Sequence, residues 1–174
     1  NNFTIHGLWP EKKGFRLEFC PGSPKYKPFS QDNPIVNDLE KHWIQMRFPE
    51  DFAKDKQPLW SHEYKRHGTC CSKLYDQTAY FLLAMRLKDK LDLLTTLRTH
   101  GVTSGTKHTF GEIQKAIKTV TNNKDPDLKC VENIKGVKEL NEIGICFNPA
   151  ADSFHDCRHS NTCDETDSTK TLFR

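Results

Sequence analysis

The stretch LYDQTAYFLLAMRLKDKLDLLTTL (Leu74–Leu97) is dense in Leu, Phe and Met and contains neither Pro nor Gly. It reads as the main core helix, divided in two near Asp89 and stopped at His100-Gly101, a good C-terminal signal. Before it, Pro58 to His67 reads as another helix, and Asn33-Pro34 supplies a cap and a first-turn proline for a third. Ile35, Leu39, Trp43 and Met46 then follow at helical spacing. The polar, proline-containing stretches Pro21 to Pro34 and Pro49 to Gln57 read as loops. Nearer the start, Phe3 to Trp9 alternates in character and stops at Pro10, the pattern of a strand whose His6 points away from the face of Phe3 and Ile5. Beyond the core helix, Thr109 and Glu112 form a capping box ahead of an apolar stripe of Phe110, Ile113, Ile117 and Val120. Leu140 to Phe147 reads as a buried strand, and the polar tail after Asn148 as a disulfide-pinned coil. Helices and strands mixed without regular alternation predict an α+β fold, with an antiparallel sheet packed against several helices in a single domain over residues 1–174.

Composition narrows the class. Hydrophobic residues make up 35% of the chain and charged residues 28%, and no run of about 18 apolar residues is present to cross a membrane. A net charge of +3 and a pI near 8.4 suit a polyanionic partner without requiring one. Seven cysteines carry more information: Cys20, Cys70, Cys71, Cys130, Cys146, Cys157 and Cys163. None forms a C-x-x-C pair and no spacing fits a usual zinc template, so disulfides in an oxidising, secreted setting are expected, with at least one thiol lacking an internal partner. Asn2-Phe3-Thr4 is an N-glycosylation acceptor, in keeping with secretion.

One cluster stands out for chemistry. His62-Glu63-Tyr64-Lys65-Arg66-His67-Gly68-Thr69-Cys70 packs two histidines, a carboxylate and two cations into six residues. On a helix Glu63 and His67 lie roughly 40° apart, as do His62 and Arg66, whereas His62 and His67 are roughly 140° apart. The last pair is therefore not the i, i+4 pair of the zinc-protease motif, and no metal is expected. A solvated helix face explains such charge pairs equally well when they are taken alone, and a single strand histidine such as His6 is most often structural. Together they permit more. RNA carries its own nucleophile, the 2′-hydroxyl, so its cleavage needs only a base for that oxygen and an acid for the leaving 5′-oxygen. A carboxylate and a fixed cation nearby would stabilise charge building on the phosphate. Trp9 offers a stacking surface for a base, or a core residue.

Phe3-Thr4-Ile5-His6-Gly7-Leu8-Trp9-Pro10 and the His62 to Cys70 cluster resemble the two active-site segments of the T2 family of secreted ribonucleases. Cys70-Cys71, Tyr80-Phe81, Leu87 to Leu94, Lys118-Thr119-Val120-Thr121 and Glu142 to Phe147 extend the likeness over most of the chain. This closer pattern is similar to the S-ribonucleases of self-incompatible plants of the nightshade type. The resemblance implies His67 as general base, His6 as general acid, Glu63 as stabiliser of the transition state and a 2′,3′-cyclic phosphate product, with no cofactor. It also implies phosphate contacts for His62, a base-binding place for Trp9, and phosphate stabilisation by Arg66 where lysine is usual, a change from compact ammonium to planar fork. Implied disulfides are Cys20 with Cys70, Cys130 with Cys163 and Cys146 with Cys157, leaving Cys71 unpaired.

Family members carry a sheet strand ahead of the first active-site segment, so the resemblance implies a partial chain missing that strand, with an unpaired edge. Implied partners are RNA and the pollen F-box proteins that mark non-self ribonucleases for degradation, the ribonuclease itself acting extracellularly as a monomer. A related ribonuclease for phosphate scavenging or defence is the alternative enzyme. A non-catalytic secreted binding protein on the same fold is the alternative of another class.

Overall fold

The computed structural model describes residues 3–12, 14–158, 161–166 and 169–173. Asn2, the glycosylation candidate, lies outside the described residues. The chain falls into two units, Asn1–Lys90 and Leu91–Arg174. The mixture of helices and sheets is α+β, and among the described residues no helix is long and apolar enough to cross a membrane.

The first unit is mainly helical. A two-stranded hairpin, β1 (Glu11–Lys12) and β2 (Phe15–Arg16), turns at Gly14, whose φ of +84° an L side chain rarely adopts. Helix α1 (Pro34–His42) begins at Asn33, whose side chain accepts the Ile35 N–H at 3.1 Å, with Pro34 in the first turn. It buries Ile35, Val36 and Leu39 and stops at Trp43, leaving Met46 outside the helix and 75% exposed.

Residues 50–56, expected as loop, form helix α2 (Glu50–Lys56), followed at once by α3 (Pro58–Arg66). Gln57 makes the break in a left-handed conformation (φ 49°) and is fully buried. Its amide is satisfied by four bonds: it accepts from the Tyr26 hydroxyl (2.6 Å) and the Phe29 N–H (2.9 Å), and donates to the carbonyls of Phe29 (2.7 Å) and Lys54 (3.1 Å). That network over-determines a conformation costing about 1–3 kcal/mol, and Pro58 then restarts the helix. Helix α4 (Gln77–Asp89), capped by Asp76, lays Tyr80, Phe81, Ala84 and Met85 on Leu39, Trp43, Trp60 and Tyr64.

The second unit holds α5 (Leu93–Thr99), β3 (Thr106–His108), α6 (Phe110–Lys118), β4 (Asp127–Glu132), β5 (Lys138–Gly144) and β6 (Thr171–Phe173). The division of the long apolar stretch falls at Asp89, and Asp92 recaps the chain by accepting the Thr95 N–H at 3.0 Å. The Thr109 and Glu112 capping box opens α6, which buries Phe110, Ile113, Ala116 and Ile117. The sheet order is β3-β6-β5-β4, antiparallel at β3–β6 and β4–β5, with β6 meeting β5 in parallel. The expected strand over residues 140–147 is shifted toward the N-terminus and half-buried, and the tail expected as coil contributes β6.

Three disulfides join Cys20–Cys70 in the first unit and Cys130–Cys163 and Cys146–Cys157 in the second, and Cys71 is free. The expected strand over residues 3–9 is not formed, and these residues belong to no helix or strand. Its Ile5 N–H goes to the His42 carbonyl at the end of α1 (2.7 Å), so a helix end takes the place of a neighbouring strand.

Candidate active site

Helix α3 turns one face inward. Glu63 and His67, one turn apart, expose 4% and 2% of their surface, whereas His62 is exposed. The helix stops at Arg66, and His67 caps it by donating its backbone N–H to the Glu63 carbonyl at 2.8 Å. The next residue must be small: a Cβ on Gly68 would lie 2.4 Å from the Tyr64 ring. A 3-10 turn over Gly68–Cys71 follows and carries Cys70, whose disulfide to Cys20 brings in the segment behind β2.

That segment is clipped to the end of α3. The Phe19 N–H donates to the Arg66 carbonyl (2.7 Å), with Phe19 at a φ of 50°. The Leu17 carbonyl meets Nδ1 of His67 at 3.3 Å. A carbonyl only accepts, so it assigns the ring proton to Nδ1 and leaves Nε2 with the lone pair in the neutral imidazole. Burial pushes the His67 imidazole below its ordinary range, only partly opposed by the Leu17 carbonyl and the Glu18 carboxylate. The neutral ring is thereby favoured, which is the state a base requires.

The first segment is held by α1 and α4. The Trp43 indole donates to the His6 carbonyl (3.0 Å) and the Tyr80 hydroxyl to the Leu8 carbonyl (2.8 Å). The His6 side chain is exposed, whereas Ile5 packs on the core. Trp9 joins the two segments. Its ring contacts that of His6 edge-on (centroids 5.0 Å apart) and that of His67 at 5.6 Å, while its indole N–H donates to Oε2 of Glu63 at 3.0 Å. Burial drives the Glu63 carboxyl above its ordinary range, and the Trp9 N–H together with the charges of His6, His62 and Arg66 pulls it back.

Of the residues expected from the sequence, His6, Trp9, Glu63 and His67 are brought together. His62 acts on this group from the exposed side, through its charge on Glu63. Arg66 is paired with Glu18, a terminal guanidinium nitrogen lying 2.8 Å from Oε1, which holds the Glu18 carboxyl below its ordinary range. Among the described residues, no group of three or more His, Cys, Asp or Glu side chains is placed to hold a metal ion. The arrangement is that of a buried imidazole whose neutral form is favoured and an exposed second imidazole linked by one indole, with a desolvated carboxylate against it. It is suited to moving protons between two oxygens of one substrate.

A model of the Ribonuclease T2 family matches residues 1–157. The chain belongs to that family. This T2 ribonuclease is 79% identical over 174 residues to Ribonuclease S-3 of Petunia hybrida, the match covering all of this chain and 78% of that protein. The crystal structure of SF11-RNase, associated with gametophytic self-incompatibility in Nicotiana alata, matches it with a TM-score of 0.93 at 52% identity, over 100% of this chain and 86% of that one. A variant of RNase MC1 of bitter gourd in complex with 5′-GMP matches with a TM-score of 0.80 at 31% identity, over 99% of this chain and 84% of that one. The T2 ribonuclease described here is an endoribonuclease, and its substrate is RNA.

Sequence reasoning missed four of its site residues. Gly7 is required for space, since a Cβ there would lie 2.1 Å from Nε1 of Trp9. Arg16 reaches Trp9, Leu17 reaches His67 and Glu18 reaches Arg66 only through the hairpin and the Cys20–Cys70 link. The Cys20–Cys70 pairing that the family resemblance implied was the one signal that pointed to that segment.

Proposed function

We propose that the protein cleaves single-stranded RNA by metal-independent transphosphorylation through a 2′,3′-cyclic phosphate. Nε2 of His67 takes the proton of the 2′-hydroxyl, and the exposed, protonated His6 gives one to the leaving 5′-oxygen. The observation that carries this reading is the Trp9 indole, in contact with both imidazoles and bonded to Glu63. It fixes the relative placement of acid, base and carboxylate, and such positioning is a large part of catalytic power. Glu63 stabilises the charged transition state, and His62, exposed beside it on α3, contacts the phosphate. For Trp9, the base-binding place and the scaffolding one belong to the same ring.

The strong likeness to S-3 of Petunia hybrida supports a further reading as a secreted stylar ribonuclease of self-incompatibility, a monomer whose whole chain forms one ribonuclease domain. Pollen F-box proteins are then its partners, and Asn2 carries glycan. Expression confined to the style and inheritance with the incompatibility phenotype separate this role from phosphate scavenging or defence.

The mechanism is tested by digesting RNA with the full chain and its His6→Asn and His67→Asn variants in the presence of EDTA. Each substitution is expected to lower the rate by about 10²–10⁴-fold, the usual worth of a general acid or base. Full activity in either variant, or loss of wild-type activity in EDTA, overturns the proposal.

A further inference from the structure

Transphosphorylation piles negative charge on the non-bridging oxygens of the scissile phosphate, and a guanidinium facing a desolvated site stabilises that charge far better than one in bulk water. Two arginines stand near His67. Arg66 is engaged on two sides: its guanidinium by Glu18 at 2.8 Å and its carbonyl by the Phe19 N–H at 2.7 Å.

Arg16 is placed differently. It faces Glu11 directly across the β1–β2 hairpin, a ready carboxylate partner. Its guanidinium carbon nevertheless lies 3.9 Å from the centroid of the Trp9 ring, the ring in contact with both His6 and His67. Among the described residues no carboxylate forms an ion pair with it. Attraction to an aromatic face holds a guanidinium through its plane and leaves its N–H donors at the edges for oxygen acceptors. The following residue, Leu17, presents its carbonyl to His67, so the same short segment orients the base and carries the cation.

We propose that Arg16 binds the non-bridging oxygens of the scissile RNA phosphodiester, while Glu18 holds Arg66 as a positioning residue at the end of α3. This rests on the transphosphorylation reading above. Trp9 then links three groups that meet the substrate: the acid, the base and the phosphate-binding cation.

The test uses the full chain, a single-stranded RNA oligomer and a dinucleoside monophosphate, with Arg16→Gln, Arg16→Lys and His67→Asn compared side by side. Arg16 is exposed, so far-ultraviolet circular dichroism should be unchanged in its variants. Arg16→Gln is expected to lower kcat/KM by about ten- to a hundredfold, the worth of a charge-assisted hydrogen bond. On the oligomer it should also flatten the dependence of log(kcat/KM) on log salt by about 0.7, one phosphate contact on a single strand. Arg16→Lys should restore the salt slope and part of the rate, and because the Arg16 charge helps hold the His67 imidazole down, the acid limb should move up in the Gln variant and stay in place in the Lys variant. Activity of Arg16→Gln within about twofold of the parent at low salt overturns the proposal. So does a loss with the salt slope intact, which assigns Arg16 to packing on Trp9 alone. If His67→Asn is inactive in the same assay, either result strikes Arg16 and leaves the acid–base reading standing. An active His67→Asn strikes the acid–base reading itself.

Discussion

Replacing Gly7 by alanine tests the site at its tightest point. Gly7 has no left-handed φ, so space and not backbone freedom demands glycine. An added Cβ would lie 2.1 Å from Nε1 of Trp9 and 2.5 Å from Oε2 of Glu63, where carbon contacts settle at about 3.5–4.0 Å. Relief requires the indole and the carboxylate to part by roughly 1 Å or more, which breaks their 3.0 Å hydrogen bond. Overpacking costs about 1–3 kcal/mol, and a buried carboxylate deprived of its N–H donor costs about 1–3 kcal/mol more. A combined loss of about 2–6 kcal/mol lowers Tm by about 4–24 °C in a chain of this size. Because Trp9 links His6 and His67, the displacement should also reduce kcat/KM by about 10²-fold. Calorimetry and steady-state cleavage of RNA measure both. The same substitution in a Trp9→Phe background should cost less, since the crowded indole nitrogen is gone, although Oε2 of Glu63 still opposes it. A Tm within about 2 °C of the parent, or an undiminished cost in the Trp9→Phe background, refutes the reasoning.

The pH profile follows from two buried groups displaced in opposite directions. With the His67 imidazole held below its ordinary 6.5, the acid limb of kcat/KM should have its midpoint below pH 6.5, and a midpoint above that value contradicts the assignment. For stability the signs differ. The unfolded chain binds the His67 proton more readily, so the His67 contribution is complete above about pH 6.5 and lost as pH falls through its lowered folded value. Glu63, raised above 4.5, contributes most at low pH and loses that contribution as pH rises through its raised value, so Glu63→Gln should be relatively better tolerated at neutral than at acid pH in urea unfolding. The Cys71 thiol packs on the core and burial pushes it up to about 11, so a thiol reagent should find no reactive group in the native protein and one after unfolding without reductant. Removing Cys20–Cys70, which closes a separation of 50 residues, should cost about 4 kcal/mol against about 3 kcal/mol for Cys146–Cys157 at a separation of 11, and the reverse order in urea unfolding would contradict this loop-closure account.

The helices that carry the core were legible because apolar period and end signals agree: Asn33-Pro34 opens α1, the capping box opens α6, and the long apolar stretch divides near Asp89. Residues 50–56 were misread as loop because their polarity comes from charges on a short solvent-facing helix, with Ala53 alone buried. Its end at Gln57 depends on bonds to Tyr26, Phe29 and Lys54, which no local pattern announces. Residues 3–9 have the alternation of a strand, yet the Ile5 N–H finds a helix end. The two histidine segments were legible because each is contiguous, and the 100° turn of a helix places Glu63 beside His67. Glu18 was not legible. Its pairing with Arg66 exists only because the hairpin and the Cys20–Cys70 link fold that segment onto α3.

The acid–base account is tested most directly by the order in which products appear. A dinucleoside monophosphate is digested by the full chain in EDTA and followed by phosphorus NMR. The account predicts that the 2′,3′-cyclic phosphate appears first and only later opens to a monophosphate, and that neither His6→Asn nor His67→Asn forms it at a comparable rate. A phosphate released directly on the 5′-oxygen, or a linear 3′-phosphate formed without the cyclic species, would contradict it.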